Sequence, residues 1–202
     1  MKKLFFILFC FLILISCKDE IIVESVNDEG TVIERFEATS DSTKNGLYEA
    51  FYDNGQLSST VIYDAGKTQG ERRMFYEEGG IKASEFYVND TIHGPFKSYY
   101  ENGKIDFESN FVNGVMVGLG KKYYKNGALM EEVNFVDNEE NGPFKEYYQN
   151  GQIEWSGNYL NGDNEFGLLQ HYNKEGVLDK KMMCDSLRKC KTIWTLETGD
   201  VL

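Results

Sequence analysis

The sequence predicts an all-β protein, folded as a single-layer, elongated, twisted antiparallel sheet of stacked β-hairpin repeats of about 24 residues each. Three observations lead to this fold class. Glycine recurs at almost constant spacing, and aromatic residues follow these glycines in a fixed register. Aromatic residues make up 14% of the chain, which contains only two prolines, a composition that favours strands joined by tight turns.

Residues 1–16 have the organisation of a secretory signal peptide. A basic start, Met1–Lys3, precedes the apolar run Leu4–Ile15. This run is shorter than the roughly 20 residues that span a bilayer as a helix, but it suits the apolar part of a signal peptide. The segment Leu14–Cys17 then resembles the lipobox of bacterial lipoproteins, which implies lipidation of Cys17. A buried helix, or a plain secretory signal that contains a cysteine, is the alternative.

We therefore expect a mature protein that is attached to the cell envelope by the lipid on Cys17, with residues 17–25 as a short tether. Two or more acyl chains give stable anchoring, because each buried methylene contributes roughly 0.8 kcal/mol. Lys18 is followed by acidic residues. This pattern looks like the surface-export signal of lipoproteins from Bacteroidetes-type bacteria, so we expect the outer membrane and exposure at the cell surface.

The charge of the chain excludes some classes of partner. The net charge is −12, and it becomes −14 when Lys2 and Lys3 leave with the signal peptide. Binding to nucleic acid depends on the neutralisation of phosphates by Lys and Arg, so this balance argues against a nucleic-acid partner. It argues equally against docking on anionic lipid headgroups, which leaves the membrane contact to the anchor at Cys17 and favours a protein partner.

Self-similarity organises residues 26–184. A weak first copy covers 26–45, and each later repeat starts at a glycine that is followed nine residues later by a second glycine. The starting glycines are Gly46, Gly70, Gly94, Gly118, Gly142 and Gly167. We expect each of these six repeats to form one hairpin, which gives twelve strands, and residues 185–202 to form a C-terminal cap that protects the edge strand.

Within each predicted hairpin, the first strand carries the aromatic pair and the turn is an Asn-Gly type, as at residues 53–55 and 101–103. We expect both turn residues to adopt positive φ, as two-residue hairpin turns demand. Polar segments such as 137–141 are expected to connect one hairpin to the next.

Adjacent residues of a strand point to opposite faces, so the two members of each aromatic pair must separate. We expect the first members, such as Phe51 and Tyr99, to line the more buried face. The second members would form a ladder on the other face that is a candidate binding surface for a peptide, a glycan or a protein. Its residues are Tyr52, Tyr76, Tyr100, Tyr124 and Tyr148. Alternatively, the ladder only stabilises the sheet.

The cores Tyr99–Ile105 and Tyr147–Ile153 resemble the MORN-repeat variant family, which includes YwqK-type antitoxin-like repeat proteins. The resemblance covers about residues 22–184 and implies a repeat module without catalytic residues. We expect a membrane-anchored module for protein–protein interaction in the bacterial cell envelope. The alternatives are an antitoxin or immunity-like protein that neutralises a toxin partner, and an envelope protein that binds glycans or peptides.

The remaining candidate residues do not predict an enzyme. Cys184 and Cys190 are expected to form a disulfide that contributes roughly 2 kcal/mol, although two free thiols remain the alternative. A metal site needs more ligands than this stretch of sequence offers. His93 and His171 have no second His or Cys at metal-ligand spacing. We therefore predict no catalytic residues, no metal and no cofactor.

Overall fold

The computed structural model describes residues 21–201, so the predicted signal peptide and Cys17 lie outside the described residues. Sixteen strands form one open sheet, in which every strand pairs antiparallel with its neighbours in chain order. The prediction of an all-β, single-layer antiparallel sheet is confirmed. The prediction of twelve strands is wrong, because the segments at both ends of the repeat array also form strands.

The strands differ little in length, and all except the last contain six to nine residues. They are β1 (Ile21–Val26), β2 (Val32–Ala38), β3 (Lys44–Phe51), β4 (Leu57–Asp64), β5 (Lys67–Phe75), β6 (Ile81–Val88), β7 (Thr91–Tyr99), β8 (Ile105–Val112), β9 (Val115–Tyr123), β10 (Leu129–Val136), β11 (Glu139–Tyr147), β12 (Ile153–Tyr159), β13 (Glu165–Tyr172), β14 (Leu178–Cys184), β15 (Cys190–Thr195) and β16 (Gly199–Asp200).

The sheet extends beyond the expected boundaries of the array at both ends. Strand β1 begins at Ile21, inside the segment that we assigned to the tether, and pairs along its length with β2. At the other end, β15 and β16 lie in the segment assigned to the cap. This segment continues the sheet by one more strand and closes with the two-residue strand β16.

The turns inside the repeats have one left-handed residue, not two, except in the repeat that starts at Gly70, where Gly79 and Gly80 have φ of 93° and 80°. In the first full repeat, Gly55 N–H donates to the Tyr52 carbonyl at 2.8 Å and Tyr52 N–H donates to the Gln56 carbonyl at 2.8 Å. Gly55 has φ of 81°, whereas Asn54 keeps a negative φ. Its side-chain oxygen accepts the Gln56 N–H at 2.9 Å. This is the type I turn followed by a left-handed glycine, so the expectation of positive φ at both residues is wrong.

The two-residue turns with positive φ join one repeat to the next. Asn89 and Asp90 have φ of 48° and 68°, and Asn113 and Gly114 have φ of 50° and 83°. Such pairs make the tight hairpin turn whose twist matches that of the flanking strands. The polar connectors that we predicted between hairpins are therefore hairpin turns themselves, and this is why all strands follow one another in a single meander.

Each starting glycine marks an interruption of the strand pairing. Glu85 pairs with Phe96 and Tyr87 pairs with Ile92, so β7 contains two more residues than β6 over this interval, and Gly94 lies among them with φ of 124°. The same interruption recurs at the other five starting glycines. Bulges of this kind bend a strand and increase its twist. They account for the spacing of glycine in the sequence.

One face of the sheet carries the buried residues, and we call it the core face. Val61, Val133, Phe144 and Leu169 are exposed by 4% or less. The Phe144 and Tyr159 rings stack there with centroids 4.0 Å apart. No second layer covers this face within the described residues, so large side chains bury one another by lying along the sheet.

The first aromatic residue of each pair lies on the opposite face, contrary to our expectation. Tyr147 donates its hydroxyl to Glu132 at 2.8 Å, and Glu132 is next to the buried Val133, so it points away from the core face. Tyr123 donates in the same way to Glu108 at 2.7 Å. The expectation was wrong because the core face is filled by residues nearer the middle of the strands, such as Phe144.

Candidate binding surfaces

The tyrosine ladder joins successive repeats. Each ladder tyrosine is the first residue of a turn, and its hydroxyl donates to a backbone carbonyl of the next repeat at 2.5 to 3.0 Å. The pairs are Tyr52 with Phe75, Tyr76 with Tyr99, Tyr100 with Tyr123, Tyr124 with Tyr147, and Tyr148 with Tyr172. The ladder hydroxyls therefore have partners within the protein, and these contacts explain the recurrence of tyrosine without requiring a ligand.

A cluster of carboxylates lies on the core face between β10 and β11. Glu131 is directly opposite Glu146 in the strand pairing, and Glu140 lies near the start of β11. We call these three residues the acidic cluster. Burial raises the pKa of each of its carboxyls. Repulsion from Glu131 further raises the pKa at both Glu140 and Glu146, whereas attraction to Lys122 partly offsets the rise at Glu131 and at Glu140.

Carboxylates on the opposite face have partners. Glu108 accepts a hydrogen bond from Tyr123, which lowers the pKa of the carboxyl, and Lys97 lies 3.4 Å away. Glu132 accepts from Tyr147 and pairs with Lys121 at 3.6 Å. Among the described residues, no Lys, Arg or His comes within 4.0 Å of a carboxylate oxygen of the acidic cluster. The acidic cluster therefore differs from these carboxylates in having no ion pair to neutralise its negative charge.

The same arrangement occurs, with its charge neutralised, around the repeat that starts at Gly46, which we call the first repeat; the repeat that starts at Gly142 is then the fifth, and each is taken together with the residues that precede its starting glycine. Glu34 is opposite Ala50, as Glu131 is opposite Glu146, and both Ala50 and Glu146 lie four residues after a starting glycine. Two residues before that glycine, the first repeat has Lys44, and its Nζ lies 2.8 Å from Glu34. The hydrogen bond from Lys44 lowers the pKa of the Glu34 carboxyl.

Lys44 is also held by aromatic rings, since its Nζ lies 4.3 Å from the Tyr48 ring centroid and 4.5 Å from that of Phe36. In the fifth repeat, Glu140 stands at the position of Lys44, and Phe144 stands at the position of Tyr48. The fifth repeat thus keeps a carboxylate, Glu131, and an aromatic ring, Phe144, but has no counterpart of Lys44, which contacts both groups in the first repeat.

The two histidines have different surroundings. His171 Nδ1 lies 2.5 Å from Asp179, and its ring is 4.5 Å from that of Trp155. The Tyr148 hydroxyl lies 3.4 Å from its Nε2 and donates to the Tyr172 carbonyl. His93 lies on the surface beside Asn113. Nothing in these contacts supplies an activated nucleophile.

The Cys184 and Cys190 sulfur atoms are bonded to each other across β14 and β15, at 1.95 Å. The Glu165 carboxylate of β13 lies 3.6 Å from the Cys190 sulfur. Cys17, the predicted lipidation site, lies outside the described residues.

Our sequence reasoning missed the acidic cluster, although the repeats contain a signal for it. The position of Glu131 is Ser59 in one repeat and Ala83 in another. The position of Glu146 is Ala50 in the first repeat, and Glu140 replaces Lys44. A comparison of repeats by position, looking for charge where others have small or apolar residues, would have brought these three residues together.

The fold and its surfaces define a β-hairpin repeat protein with an open single-layer sheet. The chain belongs to the MORN repeat variant family, since the family model matches five tandem segments that cover more than half of it: residues 44–65, 68–89, 92–113, 116–137 and 140–161. None of the curated proteins matches the chain. Within residues 21–201, no helix is both long and apolar enough to cross a membrane.

We predict that replacement of Tyr100 and Tyr124 by Phe destabilises the protein by about 1 kcal/mol for each lost hydrogen bond. Each substitution leaves a backbone carbonyl of the next repeat without its donor. Urea denaturation of the double variant measures the effect. The control is Tyr63→Phe, because the Tyr63 hydroxyl makes no hydrogen bond within the described residues. Equal stability of all three proteins would contradict a structural role for the ladder.

We also predict that Glu146→Gln raises the melting temperature at pH 7. Burial raises the pKa of the Glu146 carboxyl above its ordinary value of 4.5, so folding favours the protonated form. The resulting stability is fully present below pH 4.5 and is lost as pH rises through the raised pKa. Gln mimics the protonated form, so the variant gains stability at pH 7 and depends less on pH.

The control for this prediction is Glu108→Gln, which should lower the melting temperature at pH 7. The pKa of the Glu108 carboxyl is lowered by its hydrogen bond from Tyr123, so its stabilising effect is present above 4.5 and lost as pH falls through the lowered value. Melting curves between pH 4 and pH 8 test both signs. A lower melting temperature for Glu146→Gln at pH 7 would refute the interpretation of the acidic cluster.

Proposed function

We propose that this protein is a non-catalytic repeat module, anchored to the bacterial cell envelope through Cys17, which binds a basic segment of a partner protein on its core face. The observation that carries the proposal is the acidic cluster, where half-buried carboxylates face one another and Lys122, the cation opposite Glu131 on β9, forms no ion pair within 4.0 Å. Like charges directly opposite each other in a sheet are destabilising. A positively charged side chain from a partner would remove this repulsion, so binding would recover the free energy that the cluster costs.

Aromatic side chains next to the cluster support a Lys or Arg side chain as the occupant. Trp155 pairs with Glu146 across β11 and β12, and Phe144 and Tyr159 form the stacked pair on the same face. The long apolar stems of Lys and Arg pack well on such rings, while their charged groups reach carboxylates. Lys44 makes this combination of contacts within the chain itself.

The position of Cys17 supports a defined arrangement at the membrane. The first strand begins at Ile21, four residues after Cys17, and a chain of this length spans at most about 14 Å. The edge of the sheet at β1 would therefore stay close to the lipid headgroups. The acidic cluster begins nine strands further on, which is roughly 43 Å along the sheet at 4.8 Å per strand. A partner would thus be held away from the membrane surface.

A role as an immunity protein that neutralises a toxin rests on the resemblance to antitoxin-like relatives. It differs from the first proposal in the identity of the partner, not in the surface that we assign. A gene for a secreted toxin next to the gene for this protein would favour this alternative.

We predict that an extended peptide rich in Arg and Lys binds the protein, and that Glu131→Gln/Glu146→Gln weakens binding by about tenfold, or 1.4 kcal/mol. The peptide is fluorescently labelled, and its anisotropy is followed at about 0.15 M salt, where charges separated by more than about 8 Å are screened. The matched control is Glu108→Gln/Glu132→Gln, which removes the same charge from the opposite face. Equal weakening in both variants would mean that only net charge matters.

Glu140→Lys gives a sharper test, because it restores the residue type found in the first repeat. We expect it to pair with Glu131, raise the melting temperature and abolish peptide binding. Wild-type affinity in a more stable Glu140→Lys protein would overturn the assignment of the core face.

The anchor has its own test. We predict that cells incorporate labelled palmitate into the wild-type protein but not into Cys17→Ser, and that only the wild type fractionates with membranes. Protease treatment of intact cells then reports exposure, and full protection would contradict a location on the cell surface. A labelled Cys17→Ser protein would contradict lipidation at this residue.

A further inference from the structure

We propose that reduction of the Cys184–Cys190 disulfide turns the C-terminal end of the sheet into a Zn²⁺ site, with Cys184, Cys190 and Glu165 as its ligands. This inference is independent of the proposed function. The sequence around the cysteines offers two ligands only, but the fold brings the third from the neighbouring hairpin. The two sulfur atoms and a Glu165 carboxylate oxygen all lie within 4.8 Å of one another.

The distances suit tetrahedral zinc. Bonds of about 2.3 Å to sulfur and about 2.0 Å to oxygen place two ligand atoms of such a site roughly 3.5 Å apart. Glu165 Oε2 and Cys190 Sγ are 3.6 Å apart already. The two sulfur atoms must separate to roughly 3.8 Å for the same geometry. Rotation of the half-buried Cys190 side chain supplies this movement, whereas Cys184 is exposed by only 3% and stays in place.

Strand pairing holds the three ligands without the disulfide. Cys184 is opposite Cys190 in the register of β14 and β15, and four further pairs continue the pairing on one side of this position, beginning with Met183 and Lys191. On the other side of β14, Cys184 pairs with Gly167 of β13, the strand that begins at Glu165. The neighbouring Asp185 is used by the turn, because its carboxylate accepts from Leu187 and Lys189 N–H. Water would complete the coordination, as in other sites with three protein ligands.

The two states of the site exclude each other. The disulfide accepts two electrons and two protons from a dithiol reductant, which is oxidised to its own disulfide, and the S–S bond breaks to leave two thiols. Zn²⁺ then replaces the two thiol protons, which pass to solvent, and binds two thiolates and the Glu165 carboxylate. The metal would thereby keep the β14–β15 hairpin closed when the covalent bond is absent.

The test uses the full mature chain, reduced with a phosphine and desalted without oxygen. Co²⁺ serves as a spectroscopic probe for Zn²⁺, because thiolate ligation gives an intense charge-transfer band and tetrahedral geometry gives strong visible bands. We expect one equivalent of Co²⁺ to bind with both signatures and to be displaced by Zn²⁺. We expect Zn²⁺ to raise the melting temperature of the reduced protein, and the oxidised protein to show neither effect.

Glu165→Gln separates this site from nonspecific thiol binding. Loss of a direct ligand should weaken Zn²⁺ binding by roughly tenfold or more, since even loss of an outer partner of a ligand costs that much. The control Glu175→Gln removes a carboxylate from an exposed turn and should bind like wild type. The proposal is overturned if Glu165→Gln binds as tightly as wild type, if the thiolate band is missing, or if reduction alone unfolds the hairpin so that Zn²⁺ restores nothing.

Discussion

A sheet with one layer must bury its apolar side chains against the sheet itself, and most features of this structure follow from that constraint. On the core face, the Phe107 and Phe135 rings lie 6.1 Å apart, edge to face. Gly120 lies beneath them, since a Cβ there would come within 2.5 Å of the Phe135 ring. The aromatic side chains therefore lie along the sheet over glycine, and the bulges at the starting glycines add the twist that brings neighbouring rings together.

The same constraint decides what the sequence could and could not predict. The recurrence of glycine and aromatic residues predicted the fold class correctly, because each repeat needs its neighbours to bury its rings. The faces were predicted wrongly for Phe51 and its equivalents, because the core face is filled by residues nearer the middle of the strands, such as Phe144. Positive φ at two consecutive residues was predicted for the turns inside the repeats, but it occurs mainly in turns between repeats. The sequence Asn54-Gly55 is typical of a two-residue turn, but it lies in a longer turn in which only Gly55 has positive φ. The two-residue turn with positive φ at both positions is Asn89-Asp90.

The candidate surfaces also differ in how much of each could be predicted from the sequence. The members of the tyrosine ladder follow from spacing alone, but their acceptors are backbone carbonyls, which leave no trace in the sequence. The acidic cluster depends on which residues of β10 and β11 face each other, and a bulge at Gly142 sets that register. Likewise, Glu165 is far from Cys184 in the sequence and meets it only through the pairing of adjacent hairpins. Local patterns therefore predicted repeated features, whereas the features unique to one repeat required the register.

Features unique to one repeat are the better candidates for recognition of a partner. The contacts that recur from repeat to repeat, such as those of the tyrosine ladder, hold the sheet together. The repeats have the same backbone structure, so residues at equivalent positions of two repeats can be compared directly. Lys44 neutralises the charge of Glu34 in the first repeat, whereas Glu140, at the equivalent position in the fifth, repels Glu131. If the fifth repeat had only a structural role, a residue like Lys44 would stabilise it more than Glu140 does. The repulsion that remains is free energy that a cationic partner would recover, and this is the physical basis for our proposal that the core face of β10 and β11 binds a partner.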